Sequence, residues 1–420
     1  MPQVTGTDNR FLTDDIIVKE ALRLLKNNLV TAPLVYRDHE KRFAKKGDTI
    51  SLELPYRTKT ASGRTLVKQP LVDKSIPFKI DKQEHFGLEV TVKDRTLSLQ
   101  HFSERYLKSG MVQLANVIDR SILDKLYLYS FFSSGTPGTA NKIKDVILAD
   151  AYMSNVGVPD DGLRRAILNN LDAAELSDEI SGKYNEKIVK TAIQKGYMGP
   201  MSNFDLFKSS NMPAHTVGNH AGTPLVDGAG QTGDELVTDG WTASRDPLLT
   251  PGDVFTIAGV YEVNPQSYKS TGRLQRFVVT AKAVSSGAGA STIKISPAIN
   301  DGTLTTVDGN GDSVSLAAYQ NVTAAPADNA AITVVGTAEA VYRQNLLFHR
   351  DACALCMVDL ELPQTATVKS RVRDPESGLS LCMTGAYDIN NQTEITRIDA
   401  VWGVHMVYPE LAHRLYSAAG

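Results

Sequence analysis

Three cysteines in 420 residues are too few for a disulfide framework, and their scarcity points to synthesis in a reducing compartment, the cytoplasm. No apolar run approaches the roughly 18 residues that a helical membrane span requires. The opening Met1-Pro2-Gln3-Val4-Thr5-Gly6 lacks the basic-then-apolar build of a secretory signal. Neither Gly-x4-Gly-Lys-[Ser/Thr] nor a strand followed by Gly-x-Gly-x-x-Gly occurs, so nucleotide binding has no support. Gly-x-Ser-x-Gly and His-Glu-x-x-His are absent as well, which removes the two commonest hydrolase signatures. A formal net charge of −3 argues against a dedicated nucleic-acid binder. No repeat of 20–50 residues is visible, which excludes solenoids and propellers.

What is present is a chain too long for one core, with ordinary hydrophobic (42%) and charged (22%) fractions, so two or more packed units are expected. Charge is unevenly spread. Arg37 to Lys82 holds 12 Lys/Arg against 6 Asp/Glu, whereas no Lys or Arg stands between Lys294 and Arg343, where Asp301, Asp308, Asp312, Asp328 and Glu339 lie. Such asymmetry describes either separate solvated faces or complementary surfaces that meet in an assembly.

Periodicity divides the chain. Ile17, Ala21, Leu24 and Leu25 make an apolar stripe over residues 13–29, with Thr13 as cap, Asp14 and Asp15 at the positive end and Pro33 closing. With no neighbouring element in sequence, this helix reads as an arm that docks elsewhere. Thr49–Leu54 and Glu84–Leu99 have strand character. The basic, apolar-poor stretch 56–82 between them reads as an extended hairpin, since loops this long usually carry function. Leu107, Met111, Leu114, Ile118, Ile122 and Leu126 predict a spine helix over residues 103–132, about 40 Å long. Lys142–Tyr152 and Glu186–Lys195 read as helices and Arg164–Leu168 as a strand. Thr223–Gly240, dense in glycine, acid and threonine, reads as a linker. Pro251-Gly252-Asp253 is turn chemistry ahead of two β-branched and aromatic runs, Val254–Val260 and Leu274–Val284, which predict antiparallel strands. Asn264-Pro265 and Ser270-Thr271-Gly272 mark turns between them, and Asn300–Ala331 reads as loops. Ile398, Ala400, Trp402, Val404, Met406 and Tyr408 alternate with Arg397, Asp399, Val401, Gly403 and His405 in a last strand that Pro409 ends.

Chemistry-bearing patterns are few. Cys353-Ala-Leu-Cys356, with His349 and Cys382, supplies zinc or redox atom types, yet a strand would send the two thiols to opposite faces, and free cysteine packs as a small hydrophobe. Asp308-Gly-Asn310-Gly-Asp312 imitates a calcium loop but carries Ser313 and Tyr319 where glycine and glutamate are needed. His39, His85, His101, His215 and His220 lie in unlike contexts, and no acid–base pair can be nominated. Catalytic, cofactor-binding and metal sites are therefore expected to be absent. The candidate functional residues are the cations of the basic hairpin, Arg57, Lys59, Arg64 and Lys68, expected to make inter-subunit contacts.

Several segments resemble, in order and spacing, the major coat proteins of tailed bacteriophages of the short-tailed podovirus type. They are Gly47-Asp48-Thr49-Ile50, Val158–Asn169, Gly199–Asp205 with Ser210–Thr216, the 247–284 run, Asn345–Ala352, Gly378-Leu-Ser380, Tyr387-Asp388, and Gly403 with Tyr408-Pro-Glu-Leu411. The resemblance implies an α+β Hong Kong 97-type fold with an inserted β-rich domain. Its parts would be an N-terminal arm (1–45), an extended loop with flanking strands (46–98) and a spine helix (99–138). An axial domain (139–222) would follow, then the insert (223–342), the axial return (343–376) and closing peripheral strands (377–420). It further implies a non-enzymatic icosahedral shell protein forming hexamers and pentamers, with scaffolding protein, portal and packaged double-stranded DNA as partners, no membrane partner and no cofactor. Alternatives are the shell of a bacterial nanocompartment, which shares the fold, and a soluble redox or zinc protein using Cys353 and Cys356.

Overall fold

A computed structural model of the chain describes residues 14–37, 49–54, 57–60, 63–64, 75–91, 106–181, 200–307, 313–364, 368–374, 377–388 and 393–419. In chain order the first elements are α1 (Asp14–Asn28), β1 (Thr49–Glu53), β2 (Ser75–Lys79), β3 (Lys82–Thr91), α2 (Lys108–Tyr129), β4 (Phe132–Ser134), α3 (Ile143–Asn155), β5 (Arg164–Asn169) and α4 (Asn170–Ser181). There follow β6 (Pro200–Met201), β7 (Phe204–Ser209), β8 (Ala214–Thr216), β9 (Gly222–Val226), β10 (Gly233–Trp241), β11 (Val254–Val263), β12 (Ser270–Val279) and β13 (Ser291–Ile299). The last are β14 (Thr305–Val307), β15 (Ser313–Ser315), β16 (Ile332–Val334), β17 (Val341–His349), β18 (Cys353–Met357), β19 (Val368–Arg373), β20 (Ser380–Asp388), β21 (Thr393–Met406) and β22 (Ala412–Ala419). The chain divides into two compact units, residues 1–50, 77–122 and 354–405, and residues 51–76, 123–353 and 406–420.

The first unit is organised by a five-stranded sheet in the order β18-β21-β20-β19, with β3 also paired to β21. Ile398, Ala400, Trp402, Val404 and Met406 are all buried, as the alternation predicts. The other face is covered too along the inner half of β21, where Asp399 is buried, and only farther out is Ile395 exposed. The Trp402 indole N–H donates to Ser121 Oγ of α2 at 3.0 Å. Gly110 in α2 admits the ring of Phe86, since a Cβ there would lie 2.4 Å from it. The helix runs for 22 residues, about 33 Å; residues 103–105 of the expected span lie outside the described residues. Helix α1 buries Ile17, Val18, Ala21, Leu22 and Leu25 and packs on β19 and β20. Asp119 of α2 then accepts the backbone N–H groups of Val30, Thr31 and Ala32 at 2.8, 3.0 and 3.2 Å. The helix expected to dock away from its sequence neighbours packs on strands far later in the chain, within its own unit. Its predicted cap, Thr13, lies outside the described residues.

The second unit contains a seven-stranded mixed sheet, β4-β22-β17-β5-β7-β6 with β8 on β17, under α3 and α4, whose Val146, Ala149, Met153, Ala173 and Leu176 join Phe204, Leu347 and Leu415 in one core. Helix α4 escaped the sequence reading because Ala173 and Leu176 give it only a narrow stripe. The predicted helix 186–195 lies outside the described residues. Proline 409 does not end the last strand of the chain; after a 3₁₀ turn, Pro409–Leu411, β22 follows and pairs with β17. The segment 377–420 therefore divides, with β20 and β21 in one sheet and β22 in the other. Strands β1 and β2 form a separate two-stranded pair.

The insert is a six-stranded sheet, β16-β11-β12-β13-β10-β9, closed into a barrel by a bridge between Leu225 and Ala331. Its core, from Val226 through Phe255, Ile257, Phe277 and Ile293 to Ile332, is built from insert residues alone. The linker expected at 223–240 is instead β9 and β10. A barrel strand needs apolar side chains only on its inner face, here Val226, Leu236 and Trp241, so the acids and Thr223 outside, the polar Thr238 buried inside and glycine in the joining turn hid it. The turn marked at Ser270-Thr271-Gly272 is likewise strand: Gly272 has φ +80° within β12, beside register shifts, and the turn lies at 264–269. Within the loop region 300–331 a small β14–β15 hairpin forms; Asp308, Asn310 and Asp312 lie outside the described residues.

Candidate functional site

The hairpin cations separate into two kinds. Arg57 makes an ion pair with Glu410 and lies 5.7 Å from the Tyr319 ring centroid. Lys59 Nζ stands 4.5 Å from the Tyr268 ring centroid and donates to Gln320 Oε1 at 3.3 Å. The Tyr268 hydroxyl donates to Ala318 O at 3.1 Å, and burial pushes its pKa up. The base of the loop is thus seated on the barrel of its own chain. The Arg57 pair is partly exposed, so it contributes at most about 1 kcal/mol, and each cation–π contact adds about 0.5–1 kcal/mol. Arg64, by contrast, is exposed beside Gly63, which has φ +120°. Lys68 lies outside the described residues.

Beneath the barrel is a seam that the sequence did not announce. Asp253, the last residue of the Pro-Gly-Asp turn, is fully buried. Its Oδ1 accepts from His215 Nε2 at 2.7 Å, and its Oδ2 accepts the N–H groups of Gly218 and Thr250 at 3.1 and 2.7 Å. With Nε2 donating, His215 Nδ1 is left to accept the Tyr127 hydroxyl. Burial holds the pKa of His215 below its ordinary value, against the hydrogen bond it donates to Asp253. Gly252 is required between them: φ is +100°, and a Cβ would meet the Tyr127 hydroxyl at 2.6 Å. A Tyr–His–Asp chain is the grammar of acid–base catalysis, but its His and Asp are 3% and 0% exposed, so no substrate reaches it. Its chemistry is adhesive: it ties β8 and the Pro251–Asp253 turn to α2. Arg414 of β22 joins the same seam, donating to Ser130 O at 3.2 Å and Gly252 O at 2.7 Å, with its guanidinium 4.7 Å from the Tyr127 ring centroid. Phe131, Phe132, Val156, Val254 and Val278 supply its apolar part.

Cys353, Cys356 and Cys382 are free and buried. Burial pushes the Cys353 thiol up to about 12, so it does not ionise at neutral pH. His349, offered as a metal partner, is engaged by Asp161 at 3.1 Å and by the N–H of Asp351 at 3.3 Å. Among the described residues no cluster of His, Cys, Asp and Glu suits a metal ion.

A family model described as P22 coat protein, gene protein 5, matches residues 8–414. The major capsid protein of Acyrthosiphon pisum secondary endosymbiont phage 1 is 22% identical over 377 residues, covering 84% of this chain and 85% of that protein. Among solved structures, a chain from Mycobacterium phage Che8 aligns with TM-score 0.46 and 13% identity, over 92% of this chain and 90% of that one. The CUS-3 coat protein I-domain aligns at 28% identity over 28% of this chain and 98% of its own, with TM-score 0.19.

Proposed function

The chain belongs to the P22 coat protein family and is the major capsid protein of a tailed phage, and on that premise we propose how its parts build the shell. Copies associate as hexamers and pentamers into an icosahedral head that encloses double-stranded DNA, touched without sequence preference. Closed shells of one chain arise from heterologous contacts that close on themselves, each of which can be weak because every subunit makes many. The Hong Kong 97-type assignment follows the order of parts: arm, basic loop, spine helix α2, axial sheet around β17, inserted barrel. The protein works without catalysis. A scaffolding protein and a portal direct assembly in the host cytoplasm.

Within this scheme the four loop cations have two roles. Arg57 and Lys59 seat the base of the loop on the barrel, and Arg64 and Lys68, farther along, reach an acidic or polar surface of the neighbouring copy. The family match across residues 8–414 carries the functional reading; the exposure of Arg64 supports the division of labour. Charge reversal tests it. Arg64→Glu with Lys68→Glu should leave the melting temperature unchanged while particles disappear or become aberrant in sedimentation. Wild-type particles from that double variant would refute the assignment.

A further inference from the structure

We propose that the seam between the inserted barrel and its host sheet binds one small monovalent inorganic anion, of the size of chloride, among Arg273, Arg276, Arg414 and the Tyr416 hydroxyl.

Unbalanced charge and unmet hydrogen bonds coincide at this seam. Two guanidinium groups come from β12 and converge on one residue of β4: Arg276 donates to Ser133 Oγ and Arg273 Nη2 to Ser133 O at 3.4 Å. The third, Arg414, is fully buried and spends two of its N–H groups on backbone carbonyls. Its guanidinium lies 5.7 Å from the ring centroid of Tyr416, also fully buried. Three donors then have no acceptor among the described residues: Arg273 Nη1, Arg414 Nη1 and the Tyr416 hydroxyl. Buried donors in native proteins are nearly always satisfied by protein, water or an ion.

Charge decides between water and ion. Among the described residues two buried carboxylates, Asp253 and Glu262, act on these cations, of which Arg414 is fully buried and Arg273 and Arg276 are half-buried. Neither bonds a guanidinium. Both Asp253 oxygens are taken by His215, Gly218 and Thr250, and Glu262 Oε1 accepts from the Thr271 hydroxyl at 2.7 Å. Burial raises the pKa of Glu262, which limits the negative charge it supplies. The neighbouring histidines, His215 and His413, are held neutral by burial and by the guanidinium groups themselves. Tyr416 remains a neutral donor, because burial pushes its pKa up. Arginine does not shed its proton. At least one positive charge is therefore in excess at this seam, where an unpaired charge is costly. A monovalent anion neutralises it and accepts from the orphaned N–H and O–H groups. A divalent oxyanion such as sulfate would bring two negative charges and more oxygen atoms than the three orphaned donors can engage.

The test uses the purified full-length chain in chloride or gluconate at constant ionic strength. Binding to the folded state alone should raise the melting temperature by about 3–5 °C per tenfold rise in chloride above its dissociation constant, and bromide should act likewise. Excess broadening of the chloride-35 resonance should accompany it. Arg276→Gln removes a positive charge and should abolish both effects when its melting temperature in chloride is compared with its own in gluconate. If Arg276→Gln does not fold, Tyr416→Phe, which deletes one donor, should flatten the chloride slope. Equal melting in chloride and gluconate, or a slope unaltered in whichever variant folds, would overturn the proposal.

Discussion

Asp253→Ala should be among the most destabilising single substitutions in the barrel-bearing unit, although nothing about Asp253 marks it as catalytic. The carboxylate is 0% exposed and is the acceptor for three donors, the buried His215 Nε2 and Gly218 N–H and the half-buried Thr250 N–H. The Thr250 hydroxyl loses less, since it also donates to Thr216 O at 3.0 Å. Stranding a buried donor costs about 1–3 kcal/mol, so the gross loss is about 3–9 kcal/mol. Removing a buried carboxylate returns part of its own desolvation, and the net expected is about 3–5 kcal/mol, the range for breaking one side of a buried charged pair. At about 2–4 °C per kcal/mol for a unit of this size, the melting temperature should fall by roughly 10 °C. Asp253→Asn keeps one acceptor oxygen and should lose about half as much. Thermal melts and urea midpoints of the full chain measure both. A loss below about 1 kcal/mol for alanine would refute the claim that this carboxylate fastens the seam, and equal losses for Asn and Ala would show that charge, not donor satisfaction, is the operative term.

Stability should fall as pH drops from about 6.5 towards 5, because His215 and His413 have folded-state pKa values depressed by burial. The unfolded chain binds protons there that the folded chain refuses, at most about 1.4 kcal/mol per pH unit for each histidine. Asp119 and Glu262, raised by burial, act with opposite sign at lower pH, where the folded state holds protons more tightly. Urea midpoints at pH 7 and 5.5 should show His413→Gln flattening the decline; an unchanged slope would exclude His413 as a contributor. The triple variant Cys353→Ala, Cys356→Ala, Cys382→Ala should lose about 1–3 kcal/mol and still assemble. The native thiols should resist maleimide, and rapid labelling or stoichiometric zinc by elemental analysis would contradict their packing role. Arg57→Glu with Lys59→Glu should lower the melting temperature by a few degrees by freeing the loop base from the barrel, whereas an unchanged melt would mean those contacts contribute nothing.

Elements whose own periodicity carried them were legible. The stripe from Leu107 to Leu126 lies along the buried side of α2, and the β-branched runs after Pro251 became β11 and β12. Elements that depend on distant partners were not. Strands β9 and β10 show one apolar residue in several because only the barrel's inside is dry, and glycine at their turn gave them the composition of a linker. Helix α4 exposes Leu171, which blurs its stripe. The candidate site was hidden for the same reason. His215 and Asp253 lie 38 positions apart and meet only after β8 and the Pro-Gly-Asp turn are placed. Arg57 and Lys59 were visible as cations, but their seats at Glu410, Tyr319, Gln320 and Tyr268 lie 200 or more residues away. Local pattern reports which face is apolar; it does not report which polar group is waiting on the other side.

Electron microscopy of the full-length chain, expressed without other phage proteins and concentrated, shows whether the chain builds a shell. A shell subunit should yield closed icosahedral particles or rings of five and six copies. A protein that stays monomeric at every concentration, in every buffer that keeps it folded, would contradict the account.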